Sequence, residues 1–158
     1  MDTSYLFGKK VAVAVSGGVD SVVLLHNLVK NAKKDEIDLC VINVDHNIRA
    51  ESASDSLFVK NLAKKYGLEF FGFNVNALEY AEQHKLSEET AARILRYKVF
   101  DEFKGADYIA LAHHMSDQAE TILMHILRGS GAKGAVGMKA ISGRYVRPML
   151  EMSKEDIL

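Results

Sequence analysis

The sequence predicts an α/β fold, a doubly wound, mostly parallel five-stranded sheet with helices on both faces. Three observations point there. Val11-Ala12-Val13-Ala14-Val15 is apolar at every position, as suits a strand covered on both sides; a strand wet on one side would alternate. Extended and helical segments then follow one another along the chain, the β-α-β order of parallel pairing. The helical segments, finally, present apolar faces and stop on turn residues.

Taken in order, Lys9-Lys10 lead into the first strand, and residues 21–33 read as helix. Residues 39–45 are extended, 52–66 helical, 69–75 extended, 77–104 mostly helical and 107–112 extended. In the second helix Val59, Leu62, Ala63 and Tyr66 recur at i, i+3, i+4, i+7, and Gly67 falls at its C′ position. Ser87 with Glu88 and Glu89 opens a helix in the usual way. A last long helix is expected from Asp117 to Arg128, with Gly129 ending it as Gly67 ends the second. Ser153-Lys154-Glu155-Asp156 reads as an N-cap and acidic first turn, two residues before the sequence stops. The expectation is one domain, residues 1–158, cut from a longer protein as a helix begins.

With 158 residues, 48% hydrophobic and 26% charged, one core can form without staples. The single cysteine, Cys40, lies in Leu39-Cys40-Val41-Ile42 and reads as a small buried hydrophobe, so a cytoplasmic location is the expectation. No apolar run approaches the roughly 20 residues that cross a bilayer, and the N-terminus lacks the pattern of a signal peptide, so no membrane is expected as a partner. A net charge of −1 leaves no domain-wide footprint for nucleic acid. Any such contact must be local. From Thr121 to Leu150 there is no acidic residue, while Arg128, Lys133, Lys139, Arg144 and Arg147 are basic and five glycines intervene. This stretch can meet RNA phosphates or simply be a solvated surface.

The chemistry starts at Ser16-Gly17-Gly18-Val19-Asp20-Ser21, between the first strand and its helix. Backbone N–H groups and the helix dipole favour an anion there, and glycines let phosphate oxygens approach. Ser16 and Ser21 can add hydroxyl donors. Asp20 would repel a bare phosphate, and so fits a Mg²⁺ that bridges the phosphates. At this loop neither G-x-x-x-x-G-K-[ST] nor G-x-G-x-x-G is present, which argues against a P-loop kinase or a dinucleotide enzyme.

Three further segments fall at strand ends or helix starts: Val44-Asp45-His46-Asn47-Ile48-Arg49, Ser87 to Tyr97 with Arg93 and Arg96, and His113-His114-Met115-Ser116-Asp117-Gln118-Ala119-Glu120-Thr121. Asp117 and Glu120, three apart, point the same way from a first helical turn; they can cap that helix or hold an ammonium group. His113 and His114, adjacent at a strand end, point oppositely, so at most one faces a ligand.

Ser-Gly-Gly-x-Asp-Ser in this setting resembles the loop of the N-type ATP pyrophosphatases, the PP-loop superfamily with an adenine nucleotide alpha hydrolase-like fold, whose members cleave ATP between the α- and β-phosphates. Together with Leu127-Arg128-Gly129-Ser130-Gly131-Ala132-Lys133-Gly134 and Val146-Arg147-Pro148-Met149-Leu150, the segments closely resemble the tRNA(Ile)-lysidine synthetase family over essentially the whole chain. The resemblance implies an ATP-dependent, AMP-forming ligase that joins free L-lysine to C2 of the wobble cytidine of tRNA(Ile) through an adenylylated tRNA. It also implies roles: Ser16, Gly17, Gly18, Asp20 and Ser21 for pyrophosphate and Mg²⁺, Asp117 and Glu120 for the lysine amine, Arg93 near the reacting groups, and His113 in the nucleotide wall. The family's C-terminal tRNA-binding domains would be missing. Where that family has Asp-Asp-Gln-x-Glu-Thr, this chain carries Ser116 in place of the first acid. Two alternatives stand beside this reading: another PP-loop tRNA-modifying enzyme, such as a thiolase, against which the lone Cys40 argues; and a non-catalytic adenine-nucleotide binder, which has no need of Arg93, Asp117 and Glu120. A homodimer is left open.

Overall fold

The computed structural model of the chain describes residues 1–47, 52–113 and 139–157. Its elements run β1 (Lys10–Ala14), α1 (Val19–Ala32), β2 (Asp38–Asp45), α2 (Ser52–Lys65), β3 (Glu69–Asn74), α3 (Ala77–His84), α4 (Glu88–Glu102), β4 (Tyr108–Ala110), β5 (Ile141–Ser142), β6 (Tyr145–Val146) and α5 (Lys154–Ile157). The strands form one sheet in the order β3-β2-β1-β4-β6-β5, parallel throughout except for the β5–β6 pair.

Both faces of this sheet are covered, as the unbroken apolar strand demands. Val11, Val13 and Val15 point into a core with Leu24, Leu25 and Leu28 of α1 and Val59 and Ala63 of α2. Ala12, in a second core, meets Cys40, Ile42 and Ile109 of the neighbouring strands, and Phe100 of α4 closes over them. Cys40 is buried there, and burial pushes its thiol up to about 11.

Local signals set the helix limits. Gly67 has φ +70 and its N–H reaches Lys64 O, ending α2. Segment 77–104 divides because Lys85 takes φ 54, after which Ser87 Oγ accepts the Thr90 N–H at 3.2 Å and starts α4. Ser153 Oγ likewise accepts from Asp156 N to start α5. The helix expected over Asp117–Arg128 lies outside the described residues. Among those described, no helix is long and apolar enough to cross a membrane.

One expectation is corrected: the sheet has six strands, not five. The strands not located from sequence are those of the hairpin β5–β6, two residues each around Gly143 at φ +60. Elements so short carry no hydrophobic period, and they lie within the stretch read as cationic and glycine-interrupted. They form because β4 would otherwise offer open amides: Ile109 N donates to Arg144 O at 2.8 Å and Leu111 N to Val146 O at 2.9 Å.

Candidate functional site

Strand order reverses beside β1. After β1 the chain builds outward through β2 and β3, then returns through α3 and α4 to place β4 on the other side of β1. The crevice beyond the carboxyl ends of β1 and β4 is thus the topological switch point, where open α/β sheets bind ligands. The Ser16–Ser21 loop leaves β1 at that place.

This loop closes largely on itself. Ser16 N donates to Ser21 Oγ at 3.2 Å, Ser21 Oγ donates to Gly18 O at 3.0 Å, and Gly18 N donates to Ser16 Oγ at 3.3 Å. Gly17 adopts φ +99, a conformation open to glycine and costly for other residues. A Cβ on Gly17 would lie 3.5 Å from Asp55 Cβ of α2, whereas Gly18 is extended and a Cβ there would lie 3.5 Å from Ser16 Oγ. No side chain caps the N-terminus of α1 at Gly18, so its first amides are left for a ligand. Ser16 is exposed there; Ser21 is buried, its proton directed to the loop backbone, and its part is to hold the turn.

Beneath the loop, Asn43 of β2 fixes the end of β1. Its Nδ2 donates to Val15 O at 2.8 Å and its Oδ1 accepts from Ser56 Oγ of α2 at 2.9 Å, while Val15 N donates to Ile42 O. Asn43 is buried and satisfied on both sides of its amide. Sequence reasoning passed over it, because a polar residue in an otherwise apolar strand was the only signal.

The loop borders a cleft of about 530 Å³ on the α4 side of the sheet. Ala14, Ile42 and Val44 supply an apolar floor, Tyr97 and Phe100 of α4 a wall, and Leu111, Ala112 and His113 the end beyond β4. An apolar slot with a phosphate-competent loop at its rim fits a nucleotide in size and chemistry.

Of the residues singled out from sequence, Ser16, Gly18, Asp20, Ser21 and His113 line this cleft; Gly17 turns the loop from behind, against α2. Val44 and His46 also line it. Arg93 does not: it is exposed, in a neighbouring groove with Ile94, Tyr97, Lys98, Asp101 and Glu102. Arg96 lines the cleft instead. The signal for this was in the spacing, since Arg96 falls four residues after Ala92 and four before Phe100, both buried. Asp117, Glu120, Ser116 and His114 lie outside the described residues, as do Ile48 and Arg49.

Arg96 is half-buried with its Cζ 5.9 Å from the Tyr97 ring centroid. Burial lowers its pKa most, with Arg93 adding to that and Tyr97 opposing it. His46 is pulled below its ordinary 6.5, by burial first and then by Arg96, against a smaller pull upward from Asp45. Its Nδ1 is buried and has no hydrogen-bond partner among the described residues. His113 is oriented from outside: Arg147 Nε donates to its Nδ1 at 3.0 Å, and Arg147 also donates to Lys139 O. Arg144 donates to Phe100 O and Ala106 O, gripping the end of α4. Two of the five cations of the acid-free stretch, both half-buried, therefore have hydrogen-bond partners within the protein. Among the described residues no group of three His, Cys, Asp or Glu could hold a metal by itself. A cation here would rest on Asp20 together with phosphate oxygens.

Comparison with known proteins places this geometry among relatives. A family described as the PP-loop domain matches residues 4–158. The chain is 40% identical over 153 residues to a tRNA(Ile)-lysidine synthase of Clostridium acetobutylicum, covering 94% of this chain and 33% of that protein. A second of that name, from Geobacter sulfurreducens, is 42% identical over 156 residues, covering 95% and 33%. The chain thus spans about a third of the length of these curated relatives. Among solved structures, a U34-tRNA thiolase from Methanococcus maripaludis with its [4Fe-4S] cluster superposes with a TM-score of 0.79 at 20% identity, over 96% of this chain and 55% of that one. An NH3-dependent NAD synthetase from Campylobacter jejuni gives 0.55 at 17%, over 96% and 61%. These two likenesses speak to the fold alone.

Proposed function

The chain belongs to the PP-loop family, and from that premise we propose that it is the ATP-cleaving catalytic domain of an enzyme that makes lysidine in tRNA(Ile). The observation that carries this is the roughly 40% identity, along nearly the whole chain, to proteins named tRNA(Ile)-lysidine synthase. The cleft supports it chemically, pairing an apolar slot for a base with a loop for phosphates.

In the proposed reaction ATP lies in the cleft with its base over Ile42 and Val44 and its pyrophosphate at Ser16, Gly18 and the α1 amides. The C2 oxygen of the wobble cytidine attacks the α-phosphorus, the bond to the bridging oxygen breaks, and pyrophosphate leaves. The lysine amine then adds to C2, AMP departs with the former carbonyl oxygen, and the amine loses a proton. An amide-like oxygen leaves poorly; as an AMP ester it leaves well. Asp20, in the first turn of α1 beside amides that attract phosphate, is the residue to hold Mg²⁺, which would neutralise the departing pyrophosphate. Gly17 sets the turn. Asp117 and Glu120 are assigned to the lysine ammonium, and His113, oriented by Arg147, to the nucleotide wall. Arg93, exposed outside the cleft, suits a phosphate of the RNA better than one of ATP.

A cluster-dependent thiolase is disfavoured, since the one cysteine, Cys40, is buried in the sheet. The test is incorporation of labelled lysine into isoleucine tRNA by protein carrying this chain, with ATP, before and after Ser116→Asp. Incorporation that needs ATP and cytidine at the wobble position supports the proposal. Tight ATP binding with neither lysine transfer nor pyrophosphate exchange would overturn it in favour of a nucleotide binder.

A further inference from the structure

The charge in the cleft is unbalanced at Arg96. Its guanidinium is half-buried beside Phe100 and Tyr97, and its contact within the protein is the Tyr97 ring. Among the described residues no carboxylate pairs with it, and Arg93 repels it. Burying a cation without a counter-charge is costly, and a long side chain with no task turns its charged end to water. Arg93, three residues earlier, is exposed, with its Cζ 5.4 Å from the same Tyr97 ring. A guanidinium beside an aromatic ring keeps N–H donors for a planar acceptor.

We propose that Arg96 is an anion-holding residue in this cleft, separate from the Ser16–Ser21 loop, that holds an oxyanion of a substrate. The oxyanion is a planar or tetrahedral group with two oxygens to offer: the α-phosphoryl group of the nucleotide, or the carboxylate of the amino acid that the reaction consumes. The proposal rests on reading the cleft as the ATP site, and it moves the anion-holding role from Arg93 to Arg96.

Two ligand pairs, each differing by one oxyanion, test it: AMP against adenosine, and L-lysine against cadaverine. Affinities are measured by calorimetry for wild type, Arg96→Gln and Arg96→Lys, with thermal melts to verify folding. In Arg96→Gln one preference, AMP over adenosine or lysine over cadaverine, should fall by about tenfold to a hundredfold while the uncharged member of that pair binds as before. The pair that responds names the oxyanion. Arg96→Lys should recover part of the loss, because a point charge cannot match two oxygens at once; if Arg96→Gln melts early, the drop in Arg96→Lys carries the test. Both ratios unchanged in a folded variant overturn the proposal. A wild-type chain that binds neither ATP nor AMP removes the nucleotide site as well, and the role of Arg96 with it.

Discussion

Across one cleft, Ser16, Gly18 and Ser21 close hydrogen bonds among themselves, whereas the Arg96 guanidinium donates none to the described protein. The loop is a finished shape that a ligand meets. The region around Arg96 is unfinished until a ligand arrives. Preorganised amides lose little on binding, while a half-buried unpaired cation gains a partner only then, so the two regions contribute in different ways. Substitutions in the loop should separate into those that change its shape and those that change its access. Those near Arg96 should alter ligand choice and leave the fold intact.

The largest effect is expected at Asp20, where loop chemistry does not depend on loop shape. Asp20→Ala should lower ATP–pyrophosphate exchange on the order of a hundredfold to a thousandfold. Exchange at wild-type rate would remove Asp20 from the metal site. Next comes the support beneath the loop. Asn43→Ala strands Val15 O and the Ser56 hydroxyl, at a cost of about 1–3 kcal/mol in denaturant unfolding. A smaller loss would mean that water replaces the amide.

Gly17 and Gly18 divide shape from access. Gly17→Ala meets a φ of +99 and should destabilise the protein by roughly 1–2 kcal/mol, visible as a drop in Tm of a few degrees. Gly18→Ala meets no such strain, its Cβ 3.5 Å from Ser16 Oγ, and should melt like wild type. It should nonetheless bind ATP about tenfold more weakly, since the methyl stands where phosphate oxygens approach. Equal melting of the two variants would show that the loop relaxes more easily than its hydrogen bonds suggest.

The same contrast explains what could be read in advance. Six consecutive residues hold nearly all the information for the loop: two glycines, two serines and an acid after an apolar strand. The α4 wall is assembled by tertiary packing. Arg93 and Arg96 look alike as i, i+3 neighbours, and they part only when Ala92 and Phe100 bury one side of the helix. Asn43 and Arg147 act through partners 28 and 34 positions away in sequence, beyond the reach of any local pattern. The parallel sheet followed from hydrophobic runs, but β5 and β6, two residues each, exist only because β4 offers an edge to pair with.

The smallest expected effect bears on the electrostatics around Arg96. His46 is held below 6.5 chiefly by burial and secondarily by Arg96. Its unfolded form therefore takes up a proton at higher pH than its folded form, and the stability it contributes is present above about 6.5 and lost as pH falls toward the lower folded value. In Arg96→Gln the second cause disappears while burial remains, so the His46 imidazole followed by NMR should titrate at higher pH than in wild type and still below 6.5. The acid side of the stability profile should shift upward in the other sense, the loss on acidification becoming smaller. A phosphate or carboxylate bound at Arg96 should raise His46 in the wild-type protein for the same reason, by offsetting the positive charge. If His46 titrates identically in both proteins, Arg96 does not act on it.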